Sequence, residues 1–264
     1  MKNWFKRYLI KLLFLIAAIS LVLSGIVLIQ PASDAHVFSS VYIAMLGTWL
    51  LYGFDFRDPL KTGWQRLFIL QLILAGILGF SYLDHFQIKL LFGVALSSLL
   101  YQFNMPFIAR RFQLKRFLLV KNVLIGLSWA ALVPFGANSF DDSAVQFLFW
   151  FVAIQVGYGS IIRDISDIEH DAKHQLQTLP IKFGIKKTLL FLHLINILSL
   201  FLCLLFVGFD PFSWLFQLSF VVVFYKALIL LQVQLNHRKL IWTQYLNILT
   251  CLLIFILIFW LHSS

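Results

Sequence analysis

Residues 145–162 run for 18 positions without a charge, and the chain then turns acidic in Arg163-Asp164-Ile165-Ser166-Asp167-Ile168-Glu169-His170-Asp171. The uncharged run is long enough to cross the hydrocarbon of a bilayer. Asp164, Asp167 and Asp171 stand at i, i+3 and i+7, which on one helix falls within roughly 60° of arc. Three like charges on one stripe repel each other unless a cation lies between them. The stretch is costly as plain structure and useful as a metal site. Glu169 points off the stripe and reads as solvated. His170 and His174 form an i, i+4 pair, but hard-oxygen chemistry dominates here, so they read as loop histidines.

The rest of the chain is built like residues 145–162. It is 61% hydrophobic and 12% charged, with a mean hydropathy of +0.90, outside the range of a soluble globular domain. Apolar runs predict nine helices, at about 8–29, 37–54, 67–83, 88–104, 117–135, 145–163, 188–208, 212–232 and 241–261. The fold class expected is therefore an all-α integral membrane bundle, residues 1–264 forming one domain. The first apolar run follows Lys2, Lys6, Arg7 and Lys11 and is too long for a signal peptide, so it reads as an anchor. Cys203 and Cys251 fall in separate spans and imply neither a disulfide nor a metal site.

Charge placement tests the count independently. With the N-terminus inside, 18 of the 21 basic residues fall in inner segments. Lys121 and Lys226 lie near inner helix ends, where long side chains snorkel, and only Lys89 faces out. The net charge of +10 is then an orientation signal and a site for anionic lipid or anionic substrate, with no need for nucleic acid. This predicts a multi-pass protein of the cell (inner) membrane, with its N-terminus and acidic motifs cytoplasmic. The acids divide as cleanly. Five occupy outer loops, and six form two inner clusters, Asp55/Asp58 and Asp164/Asp167/Glu169/Asp171. The clusters follow helices four apart, which hints at a repeat of four-helix units.

Two acidic clusters at one mouth suggest cation binding, and the bases around them suggest what accompanies the cation. Mg²⁺ is typically held by one or two carboxylates together with substrate phosphates. Arg110, Arg111, Lys115, Lys121 and Arg163, with Lys182 less strongly, are candidates for clamping diphosphate oxygens. A magnesium–diphosphate site at the opening of an apolar bundle suits a lipid diphosphate with its tail among the helices. Most juxtamembrane Lys and Arg are nonetheless plain orientation signals. Polar residues within the spans need partners. Gln155, Tyr158 and Asn122 are candidates for facing the cavity, and Gln71, His193, Asn196 and Asn247 are further ones. Transport across the bundle lacks support, since the acids gather at one mouth and no charge is read near the midplane.

The second cluster, running on to Thr178-Leu179-Pro180-Ile181-Lys182-Phe183-Gly184, resembles the second aspartate-rich motif of the UbiA superfamily of intramembrane prenyltransferases. Leu114-Lys115-Arg116, then Lys121-Asn122-Val123-Leu124-Ile125-Gly126, looks like the segment entering that family's fifth helix. The resemblance implies Mg²⁺-dependent transfer of a polyprenyl group from its diphosphate to an acceptor, often aromatic. It implies that Asp164, Asp167 and Asp171 hold metal, with Asp55 and Asp58 on a second ion. The family's first motif usually reads N-D-x-x-D-x-x-x-D. Here Leu51, Tyr52 and Pro59 replace three of its members, and only Asp55 is in register. The alternative reading is therefore a UbiA-like protein that binds a lipid diphosphate or a protein partner without prenyl transfer.

Overall fold

The computed structural model describes residues 2–29, 34–53, 70–71, 74, 77, 83–102, 118–173, 176–207, 213–236 and 245–263. Their regular structure is helical: α1 (Lys2–Leu28), α2 (Asp34–Gly53), α3 (His85–Gln102), α4 (Val120–Ala130), α5 (Leu132–Ala137), α6 (Ser143–Ser166), α7 (Ile168–Lys173), α8 (Leu179–Val207), α9 (Trp214–Asn236) and α10 (Leu246–Ser263). Helices α4 and α5 form one span, broken at Ala131, and α7 is a short turn outside the spans. The described residues thus give eight spans. Leu70, Gln71, Leu74 and Ile77, all helical, fall in the expected third and make nine. Among the described residues, five stretches are long and apolar enough to cross a membrane by length and composition: Leu9–Leu28, Val120–Ala137, Ser143–Ser166, Leu179–Phe206 and Trp214–Gln234. Phe201, Leu205, Phe224, Phe259 and Trp260 lie exposed on the outside of the bundle, as lipid-facing side chains do.

The break at Ala131 has a local cause. Pro134 has no N–H, and its ring crowds the carbonyl of Ala130 one turn earlier. The ladder resumes with Phe135 N donating to Ala131 O at 3.1 Å. The carbonyls freed at the end of α5 are capped from other helices. Gln87 Nε2 donates to Phe135 O at 2.7 Å, and His36 Nε2 lies 3.0 Å from Gly136 O.

Helix α6 is the spine of the bundle, packed against α4 on one side and α8 on another, with α10 also in contact. Its first turn is capped by Asp142, whose carboxylate accepts from Ala144 N at 2.8 Å and Val145 N at 3.2 Å. Its approach to α4 is so close that a Cβ on Gly126 would overlap the carbonyl oxygen of Ala153. Small residues of this kind let helix backbones touch where lipid supplies no hydrophobic drive. The side chains of α6 then divide. Phe147, Leu148, Phe151, Val152 and Val156 enter a core shared with α1, α9 and α10, and Tyr158, Ile161 and Ile162 enter another shared with α8 and α9.

The structure corrects the single acidic stripe. Helix α6 stops at Ser166, and Asp167 takes φ −101° and ψ 11° before α7 begins. Ser and Asp favour such helix ends because their short polar side chains compete for backbone groups. The helix expected from residue 188 also starts earlier. Leu179 already opens α8, which is interrupted at Gly184 (φ 79°), a left-handed conformation suited to glycine.

Candidate functional site

A cavity of about 430 Å³ lies between α1–α7 and α10, and its lining changes character along its length. At one end stand Lys121, Arg163, Asp167, His170 and Asp171. Beyond them come Gly159, Ser160 and Asn247, and then an apolar body of Leu124, Ile125, Trp129, Leu132, Phe135, Leu90, Leu91 and Phe14. Ser97 and Ser128, with hydroxyl oxygens 3.4 Å apart, are a polar pair part-way down. Lys121 and Phe135 both line it, and the helical rise of about 1.5 Å per residue separates them by roughly 20 Å. The chamber is long and greasy with a charged mouth.

The three aspartates meet this mouth in different ways. Asp171 is 4% exposed, and its Oδ2 is buried without a hydrogen-bond partner among the described residues. Its Oδ1 lies 3.6 Å from His170 Nδ1. Asp167 is half-exposed, with Arg163 Nε 3.4 Å from its Oδ2. Asp164 is 2% exposed and already engaged. Lys121 Nζ sits 2.5 Å from its Oδ1, and Asn122 Nδ2 donates to its Oδ2 at 3.0 Å. Asn122 also donates to Ser160 Oγ at 3.1 Å. Among the described residues no three His, Cys, Asp or Glu side chains come together as a metal site. A magnesium ion suits this mouth in the way that ion is usually bound, by few carboxylates plus phosphate oxygens. The unpartnered Asp171 Oδ2 is the atom that fits.

Of the residues expected to contact diphosphate, Lys121 and Arg163 reach the cavity, while Lys182 is exposed on the first turn of α8 and stands over the Phe183 ring at 5.5 Å. Asp55, Asp58, Arg110, Arg111 and Lys115 lie outside the described residues. Two cavity candidates are corrected. Gln155 Nε2 donates to Ser199 Oγ at 2.8 Å, and Tyr158 Oη donates to Lys226 O at 3.3 Å, so both face α8 and α9. Asn122 stands behind the lining, bonded to it through Ser160. Lys226 is also corrected. It does not snorkel; it is fully buried, donates to Gln155 O at 3.2 Å and lies 5.1 Å from the Tyr158 ring centre. As the middle of α9 it places an amine at mid-span, where no charge was read from the sequence. Gly159, Ser160 and Ser128 were not singled out as lining, and no pattern distinguishes them from ordinary small residues of a packed span.

The model of the UbiA prenyltransferase family matches residues 61–251. The chain belongs to that family. A digeranylgeranylglyceryl phosphate synthase of Methanosphaera stadtmanae is 28% identical over 112 residues, 42% of this chain and 41% of that protein's length. A solved UbiA homologue from Archaeoglobus fulgidus, bound to GPP and Mg²⁺, superposes with a TM-score of 0.64 at 15% identity, covering 98% of this chain and 100% of that one. A structure from work on digeranylgeranylglyceryl phosphate synthase gives 0.61 at 18% identity, covering 97% of each chain. At these identities the solved structures establish the UbiA fold, and the chain is a multi-pass membrane protein of that fold.

Proposed function

We propose that this chain is a prenyltransferase of one domain, which takes an allylic polyprenyl diphosphate through the charged mouth and alkylates an acceptor held beside it. The observation that carries the reading is the cavity's gradient, with Lys121, Arg163, Asp167 and Asp171 at one end and an apolar chamber behind them. The tail of a lipid diphosphate fits the chamber and its head group fits the mouth. Arg163 and Lys121 draw the diphosphate in and offset its charge as the allylic C–O bond breaks. Asp171 and Asp167 would hold Mg²⁺, with Asp164 behind them keeping Lys121 in place. Bound there, magnesium supplies charge neutralisation of the departing diphosphate. The apolar wall excludes water, so the allylic cation is captured by the acceptor rather than by solvent. The acceptor then loses a proton as the new bond forms.

An aromatic ring is the expected acceptor, and an alcohol stands beside it because the curated relative is named for a glyceryl phosphate. The even bias of basic residues to this mouth supports a cytoplasmic opening in the cell membrane. The replaced positions of the first motif, Leu51, Tyr52 and Pro59, favour the second reading, a binding protein without transfer. Purified protein, Mg²⁺ and labelled geranyl diphosphate, offered with phenols and alcohols, separate the two. Diphosphate release with a prenylated product supports the enzyme; tight donor binding with no release across the panel supports the binder.

A further inference from the structure

We propose that Asn247 sets acceptor specificity, using its carboxamide to hydrogen-bond a hydroxyl on the acceptor substrate. The inference rests on the prenyl-transfer reading and adds what that reading lacks, a residue that chooses the nucleophile. Asn247 is on the first turn of α10, and it lines the cavity beside Gly159, Ser160 and Arg163. Gly159 lies one helical turn from Arg163, deeper into the span, so the amide stands where the charged mouth gives way to the apolar chamber. With the diphosphate at the mouth and its tail beyond, this boundary is where the allylic carbon lies and where a nucleophile has to stand.

The amide is held there by shape and left open by chemistry. A Cβ on Gly159 would overlap Asn247 Oδ1, so glycine at this position is what lets the side chain lie against α6. Oδ1 is buried with no hydrogen-bond partner among the described residues. Asn122 is engaged with Asp164 and Ser160, and Gln87 with Phe135 O. Gln155 Oε1 and Asn196 Oδ1 are also without a partner among the described residues, but neither side chain lines this cavity, whereas Asn247 does. A buried polar group without a partner is costly, and a ligand hydroxyl relieves that cost. A hydroxyl both donates and accepts, so it satisfies whichever end of the carboxamide turns toward it.

The test uses the purified full chain with geranyl diphosphate, Mg²⁺, and two acceptors, a para-substituted phenol paired with its methyl ether, which keeps the ring carbon as nucleophile, and a glyceryl phosphate alcohol. Asn247→Ala is expected to raise the KM of the hydroxyl acceptor about tenfold, as loss of one neutral hydrogen bond does, while the donor KM stays within about twofold. Gly159→Ala, acting from the other helix by displacing the amide, is expected to move acceptor KM the same way. Added to Asn247→Ala it is expected to change acceptor KM little further, because its target is already gone. Asn247→Ser provides the same comparison if the alanine variant does not purify. An unchanged acceptor KM, or donor and acceptor KM rising together, overturns the proposal. A wild-type protein that transfers to no acceptor overturns instead the reading on which it rests.

Discussion

Helix α6 presents two faces that carry the same kinds of side chain and do opposite things with them. On one, Gly159, Ser160 and Arg163 border open space, with Asp167 just past the helix end, and Asp171 beyond it keeps an oxygen without a partner among the described residues. On the other, Gln155 Nε2 and Tyr158 Oη are closed against Ser199 and Lys226, and Gln155 Oε1, though without a partner among the described residues, does not line the cavity. A lysine marks each face, half-buried Lys121 paired with Asp164 and fully buried Lys226 over the Tyr158 ring. The difference teaches that polarity inside a span does not by itself mark a site. What marks it is polarity that the protein leaves unsatisfied beside a volume a ligand can enter.

The largest effect expected from this contrast is on chemistry. Asp171→Asn keeps the size of the side chain and removes the charge that faces the mouth, so turnover is expected to fall on the order of a hundredfold or more, read as diphosphate release. Asp164 breaks the account differently, because its work is done with Lys121. Lys121→Met strands a buried carboxylate and is expected to cost about 3 kcal/mol in thermal or denaturant unfolding. Lys121→Met with Asp164→Leu is expected to recover stability without recovering turnover. If both return together, the pair is not part of the mouth's chemistry.

Smaller effects sharpen the contrast. Ser128→Trp narrows the chamber behind the mouth, and is expected to raise the KM of long donors about tenfold over that of short ones, measured across a series of prenyl diphosphates. Equal changes for all donors would place the tail elsewhere. Lys226→Met removes the buried amine of the closed face while keeping most of its volume. It is expected to shift unfolding by less than about 1 kcal/mol or to stabilise, since an apolar isostere avoids the cost of desolvating an amine.

Much of the fold was legible because a bilayer leaves so few options. Uncharged runs and the one-sided placement of Lys and Arg located α2, α3, α4, α6 and α9 to within a few residues, while α8 opens nine residues before its expected start. The acidic motif was legible as chemistry. Its geometry was not, because a spacing of i, i+3, i+7 presumes a helix that continues past Ser166-Asp167, and that pair ends it. Which face of α6 meets the cavity was illegible for a different reason. In lipid both faces are apolar, so periodicity does not distinguish packing from opening, and Gln155 and Tyr158 looked as available as Ser160. Lys226 was misread because a long basic side chain two turns from a boundary usually reaches it. Here Gln155 O and the Tyr158 ring hold it inside instead.

The central claim is that the cavity mouth gathers Mg²⁺ and a diphosphate while the closed face of α6 takes no part. Equilibrium binding of a geranyl diphosphate analogue with sulfur at the bridging position tests it without turnover. Wild-type protein is expected to bind it only with Mg²⁺, Asp171→Asn at least about thirtyfold more weakly, and Gln155→Leu within about threefold of wild type. Binding by Asp171→Asn as tight as wild type, or a loss in Gln155→Leu as large as that in Asp171→Asn, would contradict the account.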